Sequence, residues 1–456
     1  MRKRLMCLLL ILMLSLGGCA SQEPAPQTPL RVGYCKVDIT PELGSNISGY
    51  GDDATRLAES VKDEIYATCI AMTYENETVL LYTVDNICMG AVYAGVLRPI
   101  LTEKVGVAGD HIFFGATHSH NCPTINDSYK PQLTEAIVKA AEEAMADRAP
   151  AAMLAAKPSF PGMNFVRHYE MSDGTYSGSN FGIPDRSQAI GHAAETDPDG
   201  VLIKFDRGQG KKDILLINWQ AHPDSSSDIG YTGISPSWVG PLRDRVEQRS
   251  KMHVAYFTGA SGNQNIDSWI SSESHGYGWK TYGKKMGTLV DQALEQLQPV
   301  EVDGIQARLV VVDAEVDHSW DPMLGQANAV YDLWKTEGKE AGDRLGEIYG
   351  FTSSYQARAI RTRAELGPTR PLELGVIRIG DVAFVSGTYE MFSEQGMYIK
   401  ENSPFETTFI ITGNNGYVPS EKAYDYRSYE ADTSLFAKGT AEKLAARYVE
   451  LLEELK

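Results

Sequence analysis

Short apolar runs that each stop abruptly at a polar turn constrain this chain more than any other feature. HIFFGA (111–116), DILLINW (213–219), and the runs at 253–258, 382–386 and 407–412 are too short for buried helices and rich in Ile, Val and Phe. They therefore read as buried strands. The turns that follow carry the chemistry: ATHSHNCP (116–123), QAHPDSSS (220–227), TGASGNQN (258–265), VSGTYEMFSEQG (385–396) and TGNNGYVPS (412–420). Between the runs lie helical patterns at roughly Tyr93–Lys104, 131–148 with Pro at its start, 238–249, 279–297 and Thr433–Leu455;. Residues 325–365 are also helical and polar. A hairpin is expected from 65–74 and 78–87, around Glu75-Asn76-Glu77;. Helices alternate with strands, yet hairpins are mixed in. The expectation is an α/β fold of mixed β-sheets covered by helices, as one large domain with no internal linker.

The first residues read differently. Arg2-Lys3-Arg4, the apolar run Leu5–Leu16 and Gly17-Gly18-Cys19 form a leader with a small-residue cleavage site, and its end resembles a bacterial lipobox;. The expected division is a signal peptide over 1–18, a lipidated Cys19 with a Pro-rich tether over 19–30, and a domain over 31–456. This predicts an extracytoplasmic lipoprotein held to a bacterial cell membrane by its anchor. The formal charge of the 456-residue chain is −18. Such a balance argues against nucleic acid, whose phosphates are bound by Lys and Arg. With Cys7 in the leader and Cys19 lipidated, Cys35, Cys69, Cys88 and Cys122 remain. No CxxC pair suggests a structural zinc knuckle, and free thiols and disulfides both stay open.

His118 and His120, two apart, would converge on one side of an extended backbone at a strand end. His222 ends another strand, ahead of Pro223. Imidazole is a frequent zinc ligand, so a site shared by the two strand ends is expected, against the alternative of loop-stabilising histidines. Glu390 and Glu394 follow the strand ending at Ser386 and, four apart, would share one helical face. Gly262 and Asn263 lie in a turn that could offer N–H groups to an oxyanion. No GxSxG or SxxK pattern supports a serine nucleophile.

In chain order, RVGYCKVDITP (31–41), GYGDDATR (49–56), ATHSHNCP, RHYEMSDGT (167–175), ETDPDGVLIKF (195–205), NWQAHPDSSS (218–227), FTGASGNQN (257–265), VSGTYEMFSEQGMYIKENSP (385–404) and GYVPSEKAYDYRSYE (416–430) resemble the neutral/alkaline non-lysosomal ceramidase N-terminal (catalytic) domain family. The resemblance implies one zinc per chain, held by His118, His222, Glu390 and Tyr417, with Glu394 as the alternative acid. It implies that a water attacks a linear amide of a small or lipid-like N-acyl substrate. His120 would hold substrate or shuttle a proton, and Arg167 would face the substrate. Departures accompany it. GNQN (262–265) stands where the family carries Ser-Pro-Asn, Asn121-Cys122 follows the HxH, and no immunoglobulin-like C-terminal domain is expected. Two other readings are a degenerate ligand-binding lipoprotein and a metallophosphoesterase-like hydrolase built on the HxH, Asp85-Asn86 and His222, which would need two metals.

Overall fold

The computed structural model describes residues 29–50, 56–178, 186–208, 210–270, 278–413 and 416–456. The leader, Cys19 and nearly all of the tether lie outside these residues, and the first strand starts at Leu30.

Three mixed sheets share one core. In the first, Ile112–Ala116, Glu77–Val84, Tyr66–Tyr74, Leu30–Asp38 and Ala149–Pro150 lie side by side. The second runs His253–Thr258, Ile214–Trp219, Val201–Asp206, Ala152–Ala156 and Gln298–Val300. The third runs Ile305–Glu315, Thr369–Ile379, Val382–Gly387 and Thr407–Thr412. Side-chain alternation divides the central strands between two apolar layers. Val79, Leu81, Leu216, Phe257, Phe384 and Phe409 enter the common core between the sheets. Their neighbours face outward under helices: Leu80 and Tyr82 beneath Ala91–Val105 and Lys130–Asp147, Leu215 and Ile217 beneath Val239–Ser250 and Trp279–Ala293, and Ala383 and Val385 beneath Thr440–Glu453. Burial on both faces explains why these strands are continuous apolar runs.

One parallel pair in each sheet sets the position of the site. Glu77–Val84 runs parallel to Ile112–Ala116, Ile214–Trp219 to His253–Thr258, and Val382–Gly387 to Thr407–Thr412. Their carboxyl ends are tied together: Thr258 Oγ1 donates to the Thr117 carbonyl at 2.8 Å, and Thr412 Oγ1 to the Thr258 carbonyl at 3.3 Å. Gly115 permits the close approach, since a Cβ there would lie 2.7 Å from Ile411.

Several expected elements shift. The last helix is not continuous from Thr433: a short helix Tyr429–Thr433 precedes Thr440–Glu453, with Gly439 at φ +87° between them. The helix at 279–297 ends at Ala293 and passes into a 3₁₀ turn. Cys35, Cys69, Cys88 and Cys122 are all free thiols, although Cys35 and Cys69 are directly paired across neighbouring strands. No helix among the described residues is long and apolar enough to cross a membrane.

Candidate metal centre

The tied strand ends deliver His118 and His120 from the first sheet, His222 from the second and Glu390 from the third. Ligands gathered beyond the carboxyl ends of parallel strands are a general property of open α/β sheets. His118 and His120 do converge, but not through extended backbone. His118 sits at φ +64°, a left-handed conformation costly for a side chain of this size, and its N–H donates to the Asn86 carbonyl at 2.9 Å;.

The hydrogen bonds fix the state of two rings. A carbonyl oxygen only accepts, so His118 Nδ1, 2.8 Å from the Ile87 carbonyl, carries the proton;. The same holds for His222 Nδ1, 3.3 Å from the Ser261 carbonyl. Both Nε2 atoms are then bare lone pairs, and they face each other at 2.9 Å. A proton between them would make a buried cation. Burial first, and His118 next, push His222 well below the ordinary histidine range, so His222 does not take that proton near pH 7;. His120 Nε2 lies 3.1 Å from His222 Nε2, and ring nitrogens of the three histidines all fall within 4.8 Å of one another. Glu390 Oε2 is 3.4 Å from His118 Nε2, buried, and without a hydrogen-bond partner. Converging lone pairs beside an orphaned carboxylate oxygen match the donor set of a zinc ion. The residues present therefore fit a metal.

His120 has a further neighbour that sequence reading did not single out. Its Nδ1, buried and without a hydrogen-bond partner, lies 3.7 Å from Asp224 Oδ2, and Asp224 also accepts from the Tyr50 hydroxyl. Burial pushes His120 down to about 4, against the opposing pull of Asp224. The ring is neutral near pH 7. The available signal was Asp224 itself, two residues after His222 in His-Pro-Asp.

Tyr417 pairs with Glu390 in a two-residue parallel bridge, so the tyrosine and the carboxylate arrive together. Arg167 Nη2 donates to the Tyr417 hydroxyl at 3.2 Å and to the Gly262 carbonyl at 2.8 Å. Glu430 accepts from Arg167 Nε at 2.7 Å and meets His168 Nε2 at 2.7 Å, while His168 Nδ1 meets the Tyr426 hydroxyl at 2.6 Å. Arg167 thus anchors Tyr417 besides lining the cleft. Burial alone would lower the arginine's pKa, but Glu430 overrides it and the guanidinium is held charged. Burial, then Glu390, keeps the Tyr417 phenol protonated.

Other candidates fall elsewhere. Glu390 belongs to the short strand Glu390–Met391, whereas Glu394 lies in the first turn of the helix Ser393–Asn402, so they do not share a helical face. Glu394 accepts from Asn263 Nδ2, Ser393 Oγ and Ser420 Oγ, which fastens the turn. The structure brings Glu390, not Glu394, to the histidines. Gly262 is corrected as an oxyanion donor, because its N–H donates to the Met391 carbonyl, while the Asn263 side chain caps the same helix. Asp85 forms a two-point pair with Arg243 at 3.0 and 2.7 Å, and Asn86 holds the Pro123 carbonyl and the Ile87 N–H. The carboxylate that a two-metal phosphoesterase site would require is thereby engaged away from the cluster.

No protein-family model and no curated protein matches this chain, but solved structures do. A ceramidase solved in complex with C2 superposes with a TM-score of 0.69 at 14% identity, covering 94% of this chain and 75% of that one. The neutral ceramidase from Pseudomonas aeruginosa gives 0.67 at 15% identity, with the same coverage. Identity this low speaks to architecture, and there the result is plain: the chain has the neutral ceramidase fold over nearly its whole length.

Proposed function

We propose that this protein is a zinc-dependent hydrolase of amide bonds, with the metal held by His118, His222 and Glu390 and with Tyr417 beside them. The observation that carries this reading is the pair of bare Nε2 atoms facing each other beside the orphaned Glu390 oxygen. Bound zinc lowers the pKa of its water to about 7 and polarises a carbonyl.

The chain's own residues divide the remaining work. His120, neutral near pH 7, accepts a proton from the attacking water and returns it to the departing amine nitrogen, which cannot leave as an anion;. Asp224 faces its Nδ1 and stabilises the ring while it is charged;. The Tyr417 hydroxyl, held by Arg167, donates to the oxygen on which negative charge develops;. The ceramidase fold supports the choice of an amide as the bond cleaved. A leader and lipid on Cys19 would place this reaction outside the cytoplasm.

The test is hydrolysis of a panel of N-acyl amides by the protein as purified, after chelation, and after re-addition of zinc. The expected result is cleavage lost on chelation and restored by about one equivalent of zinc. Undiminished cleavage by metal-free protein, or no cleavage of any amide by loaded protein, would contradict the proposal.

A further inference from the structure

Asp85-Asn86 directly follows the strand Glu77–Val84 and leads into Ile87, whose carbonyl accepts from His118 Nδ1. Asp85 is engaged by Arg243 and by the Tyr66 N–H. Asn86 has different partners. It is fully buried, and its side-chain oxygen accepts from the Ile87 N–H at 2.8 Å and, more distantly, from the Cys88 N–H at 3.5 Å. Its amide nitrogen donates to the Pro123 carbonyl at 2.9 Å. N–H donors at one end and a carbonyl at the other fix which end of the side chain is oxygen.

These bonds fall on the same peptide groups that hold His118. The Asn86 carbonyl and the Ile87 N–H belong to one planar peptide unit, the Ile87 carbonyl and the Cys88 N–H to the next. The Asn86 carbonyl accepts from the His118 N–H at 2.9 Å, and the Ile87 carbonyl from His118 Nδ1 at 2.8 Å. The Asn86 side-chain oxygen thus takes the N–H ends of both units, while His118 takes both carbonyl ends. Fixing an N–H fixes the direction of the carbonyl across the plane, and a hydrogen bond at one end of an amide strengthens the other. One carbonyl supports the left-handed backbone of His118, and the other sets which ring nitrogen carries the proton;. Together they leave Nε2 bare toward His222.

Resting on the metal-hydrolase reading, we propose that Asn86 is a positioning residue for His118, setting the affinity for zinc without touching the ion. Groups that orient a metal-ligating imidazole are worth about 10- to 100-fold in metal affinity. Here the orienting carbonyls are main-chain groups, and the Asn86 side chain holds them in place. An asparagine that merely closed a turn would change stability alone.

The test compares the wild type with Asn86→Ala and Asn86→Asp. Zinc affinity is measured by competition with a chelator, stability by the thermal midpoint, and the His118 ring by heteronuclear NMR of metal-free protein. Asn86→Ala should raise the Kd for zinc about 10- to 100-fold and lose the exchange-protected Nδ1–H signal of His118. Asn86→Asp keeps an oxygen for the two N–H groups, so its zinc affinity and ring signal should stay close to those of the wild type. It also gives up the Pro123 bond and buries a charge, so it should be the less stable variant. Affinity and stability then rank the two variants in opposite order, which a general loosening of the fold does not produce. Unchanged zinc affinity in Asn86→Ala, an Asn86→Asp protein that loses tenfold or more, or a wild type without a protected His118 Nδ1–H would overturn the inference. The last two outcomes decide it even where Asn86→Ala does not fold. A wild type with no affinity for zinc contradicts the metal-hydrolase reading and this inference with it, whereas unchanged affinity in Asn86→Ala contradicts the inference alone.

Discussion

Two buried histidines, His118 and His168, show what separates a candidate reactive centre from structural polarity. Their exposures are nearly equal, 3% and 2%, so burial does not distinguish them. Partners do. Both nitrogens of His168 are matched, one to the Tyr426 hydroxyl and one to Glu430, whose other oxygen holds Arg167. His118 has one matched nitrogen, and the other confronts the lone pair of His222 next to a carboxylate oxygen with no donor. A complete buried network fixes a fold. An incomplete one, where ligating atoms of several residues converge, marks a place where something else can bind;.

This contrast can be broken at its most sensitive point. His120→Gln should reduce amide cleavage about a thousandfold, the middle of the range for loss of a general acid–base. Its zinc content, by mass spectrometry of the metal, should stay that of the wild type. Loss of zinc in this variant would move His120 from proton handling into the ligand set.

The matched cluster should respond in stability and pH dependence. Glu430→Gln leaves Arg167 buried without its counter-charge, a change expected to cost about 3 kcal/mol in chemical denaturation. Burial would raise the Glu430 pKa, but His168, then Arg167, pull it down to about 2. Its ionised form therefore stabilises the fold fully above the unfolded carboxyl pKa of about 4.3, and that contribution fades as pH falls toward 2. The difference in thermal midpoint between wild type and variant should accordingly narrow from pH 5 to pH 3. A constant difference would mean that Glu430 does not titrate as this network requires.

The smallest effect lies at the border between the clusters. Asp224→Asn should lower kcat by about 10- to 100-fold, as expected for a group that orients a reactive imidazole. An unchanged rate and pH profile would remove Asp224 from the account.

Much of this was legible in the sequence because burial writes itself into composition. Strands covered on both faces became apolar runs, and their abrupt ends located His118, His222 and Glu390. The strand Ile305–Glu315 escaped notice because its side chains alternate between exposed and half-buried positions at a sheet edge, which interrupts the apolar run with polar residues. The division of the last helix turns on Gly439, whose left-handed backbone is a property of one residue. The HxH reading reached the right convergence by the wrong geometry, since His118 turns through φ +64°. Glu430 and His168 stand 262 positions apart, so nothing local joins them, and Tyr50 meets Asp224 across 174. Such partners follow from how the three sheets meet, which no short segment encodes.

The central claim is that unmatched nitrogens, not buried histidines in general, hold a metal. Its most direct test is the zinc content of purified wild type, His118→Ala and His168→Gln, each with its fold checked by circular dichroism. The account predicts about one zinc per chain in the wild type and in His168→Gln, and almost none in His118→Ala. Equal zinc in wild type and His118→Ala, or a zinc-free wild type after growth with the metal, would contradict it.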